Sequence, residues 1–598
     1  MKVLKLLEEW KEKEFITSAE VEFVRFLQQM HPDVEEGVLM AAAVCIHAQS
    51  NGHVCLDIGT LDNGYLFNEP ETGFKINDEL KREWIAALRK SELVSSGGEM
   101  QPLVLEEERL YLHRFWKYEE ELADWMKAKS ANVQEITEDA KKALQLLLAP
   151  SKDLFETNWQ QLAVVLSFLK DLIIISGGPG TGKTYTVLNI IAAQMLAHHG
   201  DRFRIALAAP TGKAARRLVD SIKDGKKNLS GQVSSQLEIT EEALTVHKLL
   251  GADFQGSSFK FNEQNKLPYD MIVIDEASML DLTMWVRLIR AVRPNTKLVV
   301  LGDKDQLASV EAGSILGDIC GGENTFSSEI SALVANITGM QIPSTQTTAS
   351  INDCVIFLTK SYRFGENSGI QKLAKAINES DVEAAMEVLQ DPNYEDVKWV
   401  KPTPEEIEKI VNEYAVDHHT WYSGKSIEER LSASHQKKIL CALRRSKQGI
   451  EELNRIAEKK IRRKIGVLSS QEWYPGRIIM ATRNNNILKV RNGEIGIFQP
   501  EETRYIEFES TEMNKIPIKR LADYEAAYAI TIHKSQGSEF NDVAILLSNE
   551  ENPLLSKEIL YTSVTRARES TLICASEDII RKTIQKNVWR KSGLKGKI

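Results

Sequence analysis

The sequence predicts an α/β protein with two parallel-sheet domains, a mostly helical segment ahead of them, and a small β-rich insertion in the second. Three observations carry this expectation. From about 120 to 355, apolar β-type runs ("LIIIS", "RIALAAP", "MIVIDEA", "KLVVLGD") alternate with helical stretches, the βα pattern of a sheet buried on both faces. The alternation resumes from about 356 to 598 in "KKILCAL", "YAITIHK" and "DVAILLS". It is interrupted near 467–522 by short β-type segments, "RIIMATR", "LKVRNGEIGIF" and "TRYIEFES", where Asn492-Gly493 is a hairpin signal.

Taken in order, residues 1–115 form the first expected unit, helical apart from a β-like stretch at "GHVCLDI". Its opening, "MKVLKLLEEWKEKEF", alternates charge with apolar residues at helical spacing and reads as a surface helix, not a signal peptide. "GGEMQPLVLEEERLYLHRFWKYEEEL" (97–122) leads into the first sheet domain, expected over 116–355. A Ser/Thr-rich loop, "GMQIPSTQTTASIND" (339–353), precedes the second, expected over 356–598. No apolar run reaches membrane-spanning length. The six cysteines (Cys45, Cys55, Cys320, Cys354, Cys441, Cys574) lack paired spacing, which argues against disulfides or a zinc site and for a reducing, cytoplasmic setting without a membrane partner.

The formal net charge is −10, yet residues 1–100 alone carry 10 basic and 18 acidic side chains, leaving the remainder near neutral. Basic runs lie in that remainder: "HQKKILCALRRSKQ", "KKIRRK", and the stretch from Arg581 with seven basic and no acidic residues. Each allows a local polyanion track or an ordinary solvated face.

The chemistry begins at "LIIISGGPGTGKTYTVLNII". Gly177-x4-Gly182-Lys183-Thr184 fits G-x-x-x-x-G-K-[ST] between an apolar strand and a helix. The loop Gly177, Gly178, Pro179, Gly180, Thr181, Gly182 can turn its backbone N–H groups onto phosphates, at a helix N-terminus that favours anions. Lys183 would reach the β- and γ-phosphates, and the Thr184 hydroxyl would ligate Mg²⁺. "MIVIDEAS" ends a strand in Asp275-Glu276, one carboxylate suited to Mg²⁺ through water and the other to the attacking water. "LVVLGDKDQLASV" adds Gln306, whose neutral amide can bond a γ-phosphate. Positive charge from outside the cradle is offered by Arg363 beside Tyr362, and by Arg566 with its neighbour Arg568. Each arginine taken alone also reads as a surface salt bridge.

The ordered set "GGPGTGKT", "APTGKAARRL", "TVHKLLG", "IDEAS", "LGDKDQLASVEAG", "KSYRFG", "AITIHKSQGSEF" and "YTSVTRAR" resembles the superfamily one helicases of the 5′-to-3′ subgroup. More narrowly it resembles the RecD family, the alpha subunits of bacterial exodeoxyribonuclease V. The resemblance implies two RecA-like motor domains with an SH3-like barrel at 467–522, and ATP with Mg²⁺ as the fuel. It implies that Gln160 reads the adenine edge, Tyr362 stacks on the base, Glu539 lies beside the ribose, and Gly537 approaches the γ-phosphate. Arg363 and Arg566 would be the two fingers. Tyr185 departs from the smaller residue usual after "GKT", with helix packing or nucleotide exit as the expected consequence.

A translocase grips phosphates and base faces without reading sequence. Pro210, Thr211, Gly212 and Lys213 follow a strand, where hydroxyl and backbone N–H can hold a phosphate. Thr245 and His247 on one domain, and Thr531 and His533 on the other, resemble the family's strand contacts. The expected partners are single-stranded DNA and duplex ends, with RecB-like and RecC-like subunits in a heterotrimer. The acidic 1–115 unit would dock on those subunits, or would be simply a solvated domain. No carboxylate–lysine cluster suggests a nuclease site in this chain. An RNA- or protein-remodelling ATPase, or a scaffold with a decayed site, are the competing classes; hydrolysis stimulated selectively by single-stranded DNA separates them.

Overall fold

The structure, a computed structural model, describes residues 2–148, 157–198, 203–227, 243–253, 258–346, 350–365, 367–419, 426–485, 487–500, 504–509, 515–588 and 590–598. Residues 347–349 of the expected Ser/Thr-rich loop, and residues 503 and 510 of "TRYIEFES", lie outside that set.

The first motor is a six-stranded, all-parallel sheet in the order Val355–Leu358, Leu172–Gly177, Lys297–Gly302, Met271–Ile274, Ile205–Ala209, Ala243–Thr245. Period-two alternation sends Leu172 and Ile174 into one buried apolar cluster and Ile173 and Ile175 into another, which is why these strands read as continuous apolar runs. The second motor repeats the plan with five parallel strands: Val397–Val400, Ala567–Cys574, Phe540–Leu546, Lys437–Cys441, Ala529–Thr531. Both motors have the RecA-like build expected from the sequence.

Several expected boundaries shift. The first sheet closes with Val355–Leu358, paired in parallel with the phosphate-loop strand, so a boundary at 355 cuts a strand that belongs to the first motor. The boundary at 115 falls inside the helix His113–Ala131, which packs on Leu282–Ala291 of the first motor and ties to it through Arg290 and Glu121 at 2.6 Å. "RLYLHRFW" is divided: Arg109–Leu112 is a strand antiparallel to Leu103–Glu106, and the helix starts at His113.

The insertion is a five-stranded antiparallel sheet in the order Lys515–Pro517, Tyr505–Phe508, Ile495–Gln499, Ile478–Ala481, Tyr524–Ala526. It reaches past 522 and has its own core of Trp473, Ile479, Phe498 and Phe508. Asn492-Gly493 does not form a two-residue hairpin tip. Gly493, at φ +87°, instead ends a longer connection and donates its N–H to Ala481 O at 2.9 Å as the next strand begins.

The basic runs are largely neutralised inside the fold. Lys437 pairs with Glu413 (2.8 Å), Arg444 with Glu525 (2.6 Å), Arg462 with Glu458 (3.0 Å), Lys464 with Asp417 (2.6 Å) and Arg581 with Glu383 (2.6 Å). A polyanion track along them would have to displace these partners.

The N-terminal unit is less helical than expected, since its helices pack on a four-stranded sheet of Leu56–Asp57, Arg109–Leu112, Leu103–Glu106 and Val94–Ser95; the last stretch of the chain leaves the second motor and docks between this unit and the first motor. Arg590 donates to Gly313 O (3.2 Å), Val54 N–H to Lys591 O (2.8 Å), Ser592 to Asp318 (2.8 Å) and Gly593 N–H to Glu119 (3.0 Å). Lys597 pairs with Glu106, Glu119 and Glu120 at 2.8, 3.2 and 2.5 Å. Leu594 is fully buried in the first motor's core. Replacing it with alanine is expected to cost about 2–5 kcal/mol, read as a lower melting temperature and faster proteolytic release of residues 590–598.

Candidate nucleotide cleft and strand-binding face

The phosphate loop is built as its residue types require. Gly180 and Gly182 sit at φ +77° and +84°, the left-handed region where a side chain is strained. A Cβ at Gly180 would lie 2.3 Å from Arg363 Cβ, and one at Gly182 would lie 2.3 Å from Gln160 Nε2. The loop is thus closely flanked by two residues that the sequence assigns to the nucleotide. Gln160 Nε2 donates to Thr181 O at 3.0 Å, and Tyr362 N–H to Gly180 O at 2.8 Å, with the Tyr362 ring 63% exposed over the loop. Thr181 Oγ1 donates to Gly178 O at 2.8 Å, and Pro179 completes the turn. Lys183 folds back, donating to Gly177 O (2.5 Å) and Gly178 O (3.1 Å). Thr184 is half-buried in the first turn of the helix Lys183–Ala197. Tyr185 is 51% exposed, so its bulk points away from helix packing.

Asp275 and Glu276 follow the Met271–Ile274 strand. Glu276 holds φ +52°, a backbone cost of the kind concentrated at working sites, and its N–H donates to Asp275 Oδ1 at 2.8 Å. Burial, then the neighbouring Glu276 charge, pushes the Asp275 carboxyl above its ordinary range; Lys183 and Arg217 oppose that push.

The two motors meet over this cleft through specific polar contacts. Tyr561 Oη donates to Asp303 Oδ2 at 2.9 Å, and Gln306 Nε2 donates to the same oxygen at 2.9 Å. The Gln306 carbonyl oxygen is buried without a partner. Leu307 N–H donates to Thr562 Oγ1, and Gln536 Nε2 to Leu307 O, each at 3.0 Å.

The densest feature is Glu539. Its Oε1 carries both Arg217 of the first motor and Arg363, and its Oε2 carries Arg568 at 2.9 Å. Burial pushes the Glu539 carboxyl up, but the Arg217 and Arg363 charges override it and hold the group well below the usual carboxylate range. A ribose contact from Glu539 therefore requires one guanidinium to yield. Arg363 Nη1 is buried with no acceptor, an unmet donor in a cleft with surplus positive charge. Arg566, 2% exposed, donates to Thr562 O (3.1 Å) and Ser538 O (3.2 Å) within its own motor. Gly537, at φ +68°, approaches Ala214: a Cβ there would lie 3.2 Å from Ala214 Cβ.

The strand-binding candidates share one local design. Thr245 and Thr531 each end a strand, Thr211 stands two residues past one, and all three cap the following helix, accepting from Lys248 N–H (3.2 Å), Lys534 N–H (3.4 Å) and Ala214 N–H (3.2 Å) respectively. Each hydroxyl keeps its own proton to donate outward. Ala243–Thr245 and Ala529–Thr531 are edge strands of their sheets, and each leads into a one-turn helix carrying a histidine, exposed at His247 and half-buried at His533. Pro210 precedes the Thr211 cap; Gly212 is covered by Arg491 of the insertion, which donates to Gly212 O at 3.4 Å. Lys213 is driven down to about 8 by burial, offset by Glu509 of the insertion.

Arg217 and Tyr561 were not singled out by sequence reading. Arg217 stands four residues after Lys213 on the helix Gly212–Lys226, so helical spacing places it on the same face as a candidate phosphate contact.

Comparison with known proteins agrees with this architecture. The family model for the RecBCD enzyme subunit RecD N-terminal domain matches residues 12–111, that for an AAA domain 160–312, and that for a UvrD-like helicase C-terminal domain 526–574. The chain is 33% identical over 602 residues to the RecBCD enzyme subunit RecD of Mycolicibacterium smegmatis, covering 98% of each. It is 31% identical over 589 residues to the RecD of Buchnera aphidicola from Acyrthosiphon pisum, covering 94% of this chain and 96% of that one. A solved Pif1 helicase from Bacteroides overlays at a TM-score of 0.36 with 19% identity, over 70% of this chain and 92% of that one, a likeness too loose to argue from. With two RecA-like motors closing on one phosphate loop and relatives matched nearly end to end, this chain belongs to the RecD family of RecBCD enzyme subunits and is an ATP-dependent helicase.

Proposed function

We propose that the chain moves 5′ to 3′ along single-stranded DNA, using ATP held between its motors, and unwinds duplex ends as one subunit of a heterotrimer with RecB-like and RecC-like chains in the cytoplasm. The observation that carries this reading is the gathering of positive charge from both motors around one phosphate loop: Lys183 within it, Arg363 against Gly180, and Arg566 and Arg568 of the second motor around the Glu539 that Arg363 also meets. Among the described residues no helix is long and apolar enough to cross a membrane.

Gln160 and Tyr362 would hold the base at the two ends of the loop. Lys183 would leave the Gly177 and Gly178 carbonyls for the β- and γ-phosphates. Arg363 would present its unmet Nη1 to the γ-phosphate, and Arg566 would join it as the motors close. Glu276 would orient and deprotonate the attacking water, and Gln306 would report that water or phosphate to the second motor through Leu307. Thr184 and Asp275, a hydroxyl and a carboxylate, are the hard oxygen donors that suit Mg²⁺, which keeps most of its shell as water and phosphate and would neutralise developing charge. Closure brings the grip around Thr211 and Thr245 toward the grip around Thr531; reopening after hydrolysis releases one before the other. Alternating grip converts that motion into travel.

Unwinding by the purified chain with its partner subunits should start from duplexes with a 5′ single-stranded overhang. Inactivating the RecB-like motor by substitution isolates the contribution of this chain. Unwinding that then needs a 3′ overhang would overturn the polarity, and ATP turnover stimulated equally by RNA would overturn the DNA assignment.

A further inference from the structure

The helix Gly212–Lys226 touches two candidate sites at once. Its capped end holds Thr211, Gly212 and Lys213 of the strand-binding face. One turn on, about 6 Å along the axis, Arg217 reaches Glu539 of the second motor. A cavity of about 250 Å³ is lined by Lys213 and Arg217 from this helix, Glu509 from the insertion, and Glu539 and Arg568 from the second motor. Ala214, Ala215, Leu218, Val219 and Ile222 bury the opposite side of the helix on the first motor. A shift at its capped end is therefore carried to Arg217 as a shift of the whole rod, since packed elements move as units.

At the far end, Arg217 and Arg363 compete for one oxygen. Both donate to Glu539 Oε1. While Arg217 occupies that oxygen fully, Arg363 is freer to turn toward a phosphate; when Arg217 draws back, Glu539 holds Arg363 more tightly. Arg363 already has a buried N–H without an acceptor, so it stands between two anions, one fixed and one brought by the nucleotide.

Resting on the reading of this cleft as the ATP site, we propose that Arg217 is the positioning residue that couples DNA occupancy at Thr211–Lys213 to nucleotide binding, by setting how firmly Glu539 holds Arg363. The coupling is reciprocal: nucleotide must alter DNA affinity by the factor with which DNA alters nucleotide affinity.

The test uses the full chain and a labelled oligo-dT, with affinity read by fluorescence anisotropy with and without ADP, aluminium fluoride and Mg²⁺, a transition-state analogue on which the Arg363 charge acts in full. In the unmodified chain the analogue should change DNA affinity by about tenfold, inside the usual range for coupled sites. Arg217→Met should reduce that ratio below about twofold, while DNA affinity without nucleotide stays within about threefold, because the residue acts on the link and not on the grip. Arg217→Lys, which keeps the charge but not the forked contact, should give an intermediate ratio, and it serves in place of Arg217→Met if that variant melts early. A wild-type ratio in a variant of unchanged melting temperature overturns the proposal alone. An unmodified chain that fails to bind the analogue overturns the cleft reading and this inference with it.

Discussion

Lys183→Gln is expected to lower ATP turnover by about 10³-fold or more, the scale on which enzymes lose rate when a charge-stabilising group is removed from a phosphoryl-transfer site. The folded chain should survive the change. Lys183 makes its contacts to two loop carbonyls, Gly177 O and Gly178 O, at half-buried positions. Glutamine can donate to one of them and water can reach the other, so far-ultraviolet circular dichroism and the melting temperature should be nearly unchanged. Steady-state phosphate release with saturating single-stranded DNA is the measurement. Near-normal turnover would remove Lys183 from the cradle and take the assigned cleft with it.

Arg363→Ala should separate binding from chemistry. The residue sits against Gly180 through its Cβ and against Glu539 through its guanidinium. An arginine finger supplies charge in the transition state and little in the ground state, and is worth about 10³–10⁵ in rate. ATP affinity should therefore stay within about threefold while the single-turnover hydrolysis rate falls by about 10³-fold. Glu539 would not be stranded, because Arg217 and Arg568 remain on it. This makes the variant a test of chemistry and not of folding. Equal loss in affinity and rate would recast Arg363 as a ground-state contact.

Much of this architecture could be read from the chain itself. Strands such as Leu172–Gly177 and Met271–Ile274 carry four or more apolar residues in a row because both faces of the sheet are covered. The phosphate loop was legible because Gly180 and Gly182 are needed at positive φ. The boundaries were less so. Val355–Leu358 follows a polar loop and precedes the second motor in sequence, yet pairs beside the first strand of the first motor; local composition does not record which sheet a strand joins. Long-range pairing hid the arginine cluster as well. Glu539 lies 322 positions after Arg217 and 176 after Arg363, and spacing along the chain says nothing about such a meeting. The basic runs stayed open between a polyanion track and a solvated face for the same reason, since the Glu413, Glu525 and Asp417 that pair with them are distant in sequence.

The docking of residues 590–598 has a mechanical consequence. The polypeptide crosses from the first motor to the second after Leu358, and crosses back near Arg590 to lodge beside Gly313 and Glu119. Two lobes joined by a single strap can swivel in any direction. Tethered at two places, the lobes of this chain have fewer directions in which to turn against each other than a single link would leave them.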